Sequence, residues 1–335
     1  MASQNPSNPS PVGRKVRRLG IGIVVVMALY TAAWFYGANR LDRFLANTLA
    51  GQTQGEVQAE CGNLSVGGYP FLIGVTCDRI RFVDGGSGLD AAFGAFRSAA
   101  RIYMPGTAVL ELDGPARLDL TRSGIAVDGN WQSMRASVGA GLDGLKRASV
   151  EGRDVAFHVA SDVTYQIFDL KIGHAEWHVR ANGGDLDLAL LAEKLDFRTE
   201  GQPPLLPELS ASAELTLVGK AHVLGGSPYG SLETKGELRS FKADLGNGIY
   251  GELSGPISID AEGWVSGELT MMLENLDLWE KTLVSAFPDA GATISGMADM
   301  LRGLQKDKAR VTVNLSIDRG TISLSMIPIG HIPQI

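Results

Sequence analysis

The chain has 335 residues, 44% of them hydrophobic and 20% charged, and a formal net charge of -7 at pH 7. That balance fits a folded chain with a sizeable core and excludes a disordered polyelectrolyte. The charges are spread and no basic stripe is present, so nucleic acid is not an expected partner.

Residues 1–18 are polar and turn-forming until Arg14, Lys15, Arg17 and Arg18. From Leu19 to Gly37 the chain reads LGIGIVVVMALYTAAWFYG, close to the about 20 residues that a helix needs to cross a bilayer core. A cleaved signal peptide is the rival reading. Its apolar region usually runs only about 7 to 15 residues before small residues at the cut, whereas Trp34, Phe35 and Tyr36 follow here and suit the headgroup interface. The residues therefore predict a retained anchor over 19–37. The basic flank places the N-terminus in the cytoplasm and exports everything after about Arg40, in a bacterium from the inner membrane into the periplasm. Within 38–50, Leu41, Phe44, Leu45 and Leu49 share one face, which predicts a juxtamembrane helix.

The only two cysteines lie in AECGNLSVGGYPFLIGVTCDRI, on either side of Gly68, Tyr69, Pro70 and Phe71. An oxidising compartment favours a disulfide between Cys61 and Cys77. If Val57–Val66 and Leu72–Val83 are hairpin arms turning near Tyr69, the two cysteines face each other as a cross-strand staple. Closing that loop of about 17 residues would stabilise by roughly 3 kcal/mol. A redox pair would instead need a Cys-x-x-Cys spacing and a depressed thiol pKa, and two isolated cysteines make a poor metal site.

Beyond the anchor the chain alternates at period two, in segments such as ARLDLTRSGIAVDG, DLDLALLAEKLDF and ARVTVNLSIDRGTISLSMI. The 42 glycines include the pairs Gly85–Gly86, Gly183–Gly184 and Gly225–Gly226, which suit short turns. The expected fold is mainly β with a few helices: the N-terminal transmembrane helix, then an elongated, curved, largely antiparallel sheet or half-barrel with one apolar face. The Pro-rich stretch 201–210 divides it into sheet-forming halves at 51–200 and 211–335. Amphipathic segments at Leu276–Phe287 and Ile294–Leu304 predict a helical hairpin within 276–304 that caps an open end of the sheet. A Gly-Pro pair recurs in LELDGPARLDL and GELSGPISID. Gly114 and Pro115, like Gly68 to Phe71, read as structural turn residues.

Cys61 and Cys77 around Gly68-Tyr69-Pro70-Phe71, then Tyr103-Met104-Pro105, Leu110 to Pro115 and the ending Ile327-Pro328-Ile329-Gly330, resemble an exported alphaproteobacterial family catalogued as domain of unknown function 2125. The resemblance covers nearly all of the chain after the anchor. It implies location and fold, and no reaction. A looser similarity, in the anchor, the Gly-punctuated strands and Asp318-Arg319-Gly320-Thr321-Ile322, is to AsmA-like envelope proteins, whose β-grooves imply lipid handling.

Residues able to do chemistry are sparse. His174, Glu176 and His178 in HAEWH share one strand face. The two histidines stand roughly 13 Å apart at about 3.3 Å per residue, too far to share an ion unaided, so they read as a polar face and only a weak metal candidate. No Gly-x-Ser-x-Gly elbow occurs, and GLDGLK at 141–146 lacks the spacing of a phosphate loop. Asp84, Asp113, Asp128 and Asp318 stand beside or near glycines as turn residues. The sequence thus predicts no enzyme and no cofactor. Its expected role is envelope maintenance by binding or passing a lipid or other lipophilic molecule on the apolar sheet face. The alternative is a scaffold that recruits another envelope protein through the membrane helix or an edge strand.

Overall fold

The computed structural model describes residues 11–52, 57–141, 144–163, 165–225, 233–305, 309–324 and 326–334. Helix α1 runs unbroken over Pro11–Gln52, so the expected anchor and juxtamembrane helix are one element. It is long and apolar enough to cross a membrane. Its large side chains from Leu19 to Leu29 are exposed on all sides, an arrangement suited to lipid rather than to a protein core.

The rest is built on one antiparallel sheet. Strands β1 and β2 (Val57–Gly62, Ser65–Gly67) turn back into β3 and β4 (Leu72–Cys77, Arg79–Asp84), then β5 and β6 (Leu89–Phe93, Phe96–Arg101). These are followed by β7 and β8 (Met104–Leu112, Ala116–Leu120), β9 and β10 (Ile125–Asn130, Ser133–Gly141) and the long β11 (Gly144–Ser161). Beyond lie β12 (Gln166–Asn182), β13 (Asp185–Thr199), β14 (Leu209–Leu217), β15 (Thr234–Asp244), β16 (Tyr250–Ile259) and β17 (Val265–Glu274). The last strands are β18 (Arg310–Asp318), β19 (Thr321–Leu324) and β20 (Ile327–His331).

The pairing makes this a meander of bent spans. β4 pairs β5 while β3 pairs β6, β5 pairs β8 while β6 pairs β7, and β11 takes β9 along one half and β10 along the other. Each early pair of strands is therefore one long strand broken midway. The breaks form a seam: Asn63–Leu64, Asp78, Gly94–Ala95, Asp113–Pro115 and Trp131–Gln132. It continues through β11 to β13 as gaps in register around Asp154, Gly173 and Lys194. Asn63, Asp154 and Lys194 all have positive φ, at 53°, 48° and 54°. Such left-handed residues interrupt a ladder and bend it. A second bend crosses Arg239 and Gly255, where the ladder skips between Leu238 and Phe241. Gly255 has φ 143°, and a β-carbon there would lie 2.2 Å from the Glu268 carbonyl oxygen, so only glycine fits.

The register corrects the expected geometry of the cysteines. Val66 pairs Val75 and Cys61 pairs Ile80, so Cys61 and Cys77 are not opposite one another. The turn centres between Pro70 and Phe71 rather than near Tyr69, which shifts the register by three. The disulfide forms nonetheless, because the seam sets the end of β1 beside the end of β3, with Cα atoms 5.3 Å apart. Around it Asp78 N donates to Gly62 O at 2.8 Å and Asn63 Nδ2 to Asp78 Oδ2 at 2.6 Å. The stretch 201–210 connects β13 to β14, and these pair directly, so both halves share one sheet.

The sheet is open. Among the described residues β1 and β2 pair only β4 and β3, and β20 pairs only β19. Helices α2 (Leu276–Ala286) and α3 (Gly291–Leu304) cover one end of its apolar face. A 3-10 turn at Pro288–Ala290 joins them, which starts α3 three residues before the expected Ile294. Leu276 and Leu301 pack with Val311, Val313, Leu315 and Ile317, alternate residues of β18 on one face. A second core, Ala116, Trp131 and Val155, sits at the seam. The Trp131 indole donates to Leu112 O at 2.7 Å, satisfying its polar atom where the strands part.

Candidate functional site

Between these two cores the apolar face is uncovered. Directly paired residues of neighbouring strands point to the same side, so the register assembles a row that crosses the sheet: Val150, Trp177, Leu190, Ala213, Phe241, Leu253 and Met271. Two residues along each strand runs a parallel row of small side chains: Gly152, Ala175, Ala192, Ala211, Ala243 and Gly251. Large walls beside a small floor make a groove. On the other side Val155, Phe157 and Ile172 form the second wall, and the depression holds about 400 Å³. Trp177 is 39% exposed, Leu190 51% and Phe241 42%, although each lies mid-sheet. Uncovered aromatic and aliphatic side chains in one contiguous row are uncommon on a soluble monomer, which makes this row the candidate binding surface.

The opposite face carries the polar groups. Arg97 bonds Glu111 and Asp113, and Glu111 bonds Arg135, in an exposed ladder. His174, Glu176 and His178 do share a face, as the spacing suggests. Glu176 stands between the imidazoles and takes one on each carboxylate oxygen, both at 2.8 Å. His178, then His174, hold its carboxyl below the ordinary range. That pairing uses the ligand atoms on one another, and no cluster of three or more His, Cys, Asp or Glu among the described residues could hold a metal. The expected turn aspartates are structural as well, although Asp128 lies within β9, paired across the ladder with Arg117 and His158, rather than at a turn. Asp84 accepts from Gly86 N and Ser87 Oγ at 2.9 and 2.7 Å, Asp128 pairs Arg117 and Asp113 pairs Arg97. Asp318 faces Thr321 across the β18–β19 turn. Of GLDGLK, Leu142 and Asp143 lie outside the described residues.

A buried carboxylate that the sequence did not single out, Asp187, sits on this polar face beside a second depression of about 430 Å³. Arg180 and Arg239 reach it at 3.0 and 2.9 Å, and Thr216 Oγ1 and Asn182 Nδ2 donate at 2.9 and 3.2 Å. Burial pushes its pKa up, but these donors outweigh burial and hold it below the carboxylate range. With every partner satisfied, it is a cross-strand clasp over β12 to β15 rather than a free acid.

Gly68 to Phe71 form the tip of the β2–β3 turn, which docks on α1. Trp34 meets Tyr69 edge-on at 5.5 Å, and Phe35 stacks on Tyr69 at 5.6 Å. Residues 34–333, beginning at this Trp34, match the family model described as an uncharacterized protein conserved in bacteria, DUF2125. The chain belongs to that family. No curated protein and no solved structure matches it. The groove residues Trp177, Leu190 and Phe241 were not legible as a site. A two-residue turn at Gly183–Gly184 sets Trp177 opposite Leu190, but the long connections 200–208 and 218–233 leave the register toward Phe241 undetermined by sequence.

Proposed function

We propose that this protein is held in the bacterial inner membrane by α1, with its sheet in the periplasm. There it serves envelope maintenance by binding or passing a lipid or other lipophilic molecule in the open groove. The uncovered Trp177, Leu190 and Phe241 row over a small-residue floor carries this reading. An acyl chain there would gain about 0.8 kcal/mol per buried methylene, so ten would contribute roughly 8 kcal/mol before the chain is ordered. No charged group is needed on the apolar face for such binding, and the role is non-enzymatic. The Cys61–Cys77 disulfide fits an oxidising compartment, and the four basic residues before Leu19 fit a cytoplasmic N-terminus.

The test compares the full chain, purified from its own membranes in mild detergent, with a Leu190→Glu/Phe241→Glu double variant. Both keep α1 and hence the same lipids around it. Wild type is expected to carry at least one more lipid per chain by quantitative mass spectrometry of the extract. Equal lipid contents would remove the carrier reading. A stoichiometric envelope protein in place of lipid would favour a scaffold.

A further inference from the structure

We propose that the β2–β3 tip, residues 68–72, together with the neighbouring β6–β7 tip, residues 102–104, is inserted into the lipid interface beside α1 as a second membrane contact. The proposal rests on α1 being the membrane anchor and is independent of lipid carriage. Four basic residues end just before Leu19. A core of about 30 Å takes about 20 helical residues, which reaches Ala38. The tip does not meet α1 beyond that point but well before it. Tyr30 OH donates to the Pro70 carbonyl, and Thr31 Oγ1 and Tyr69 OH lie 2.7 Å apart. Tyr30 stands seven residues before Gly37, about 10 Å deeper along the helix, so the tip shares that depth.

Four of the five carbonyls of residues 68–72 are provided for such a place. Irregular chain at membrane depth is tolerated only where its polar groups have protein partners. Gly68 O accepts from Leu72 N at 3.0 Å, Pro70 O from Tyr30, Phe71 O from Ile102 N at 3.1 Å and Leu72 O from the Trp34 indole at 3.0 Å. Two of these donors are side chains of α1. Pro70 itself has no amide to satisfy. From Gly62 to Thr76 there is no charged residue. The side chains that point away are apolar or aromatic: Phe71, Tyr103 and Met104 are all exposed. Arg101, the nearest charge in sequence to the second tip, pairs with Leu72 at the base of both tips and is exposed, so its long side chain can reach up toward the headgroups. Other tips at this end of the sheet differ. Gly183–Gly184 has no side chains, and Asp260 to Gly263 is acidic.

Spin labels test this in the full chain reconstituted into phospholipid vesicles, since the native cysteines are joined and only an added thiol reacts. The collision ratio of oxygen to a water-soluble nickel chelate is read at Phe71→Cys and Tyr103→Cys, with Val25→Cys as the lipid reference and Glu262→Cys as the water reference. Both tips are expected to show a ratio several-fold above Glu262→Cys. A ratio at either tip no higher than Glu262→Cys, with Val25→Cys high, overturns the insertion. A low ratio at Val25→Cys as well overturns the anchor and the insertion with it.

Discussion

At the scale of single residues the two faces of the sheet behave oppositely under substitution. Asp187 is buried and fully bonded, whereas its partners Arg180 and Arg239 are 65% and 44% exposed in their side chains. Its loss therefore leaves two cations that water can still reach, and Asp187→Ala is expected to destabilise by about 1–3 kcal/mol in urea unfolding. The pH dependence has a fixed sign. The native carboxyl is held below its ordinary value, so the stabilisation is complete above the unfolded pKa of about 3.9 and is lost as pH falls through the lower native value. Asp187→Asn should thus be less stable than wild type at neutral pH, and the gap should close below about pH 4. Leu190 presents the reverse case. It is half exposed in the groove, so on the proposed function Leu190→Glu is expected to change stability by no more than about 0.5 kcal/mol while lowering the lipid content, a split between stability and binding that a merely structural residue would not give.

At the scale of elements the sequence was legible where the period is clean. The β18 alternation RVTVNLSID, the α2 and α3 segments and the apolar stretch of α1 all follow from pattern, because burial on one side imposes the spacing. The seam was not legible. It depends on left-handed Asn63, Asp154 and Lys194, residues that sequence alone gives no reason to single out. The cysteine register was a matter of the turn instead: a turn near Tyr69 would set the cysteines opposite one another, but it centres between Pro70 and Phe71, and Cys61 faces Ile80. The recurring Gly-Pro pair takes on meaning here, since Gly114–Pro115 lies on the seam and Gly255–Pro256 on the second bend. Gly255→Ala should cost more than about 2 kcal/mol, as its β-carbon meets the Glu268 carbonyl in a backbone conformation closed to alanine. The staple at the seam closes a separation of 16 residues. Replacing both cysteines by serine should lower stability by roughly 3 kcal/mol, read as a lower urea midpoint.

At the scale of the molecule, a meander whose neighbours in sequence are neighbours in space needs no long crossover, and its fold class could be read from alternation and turns. Whether its apolar face was filled could not, since alternation gives a face but not what covers it. Coverage depends on where α2 and α3 land. They fall on β17 and β18, and the seam core closes the far side, so the middle strands are left bare. In-cell photo-crosslinking from that bare region is the sharpest test of lipid binding in the groove, with a benzophenone side chain placed in the full chain at Leu190 or Phe241 and, as a control, at Lys242 on the polar face. Lipid adducts are expected at 190 and 241 by mass spectrometry and none at 242. Adducts absent from the groove, or equally abundant on both faces, would contradict lipid binding there.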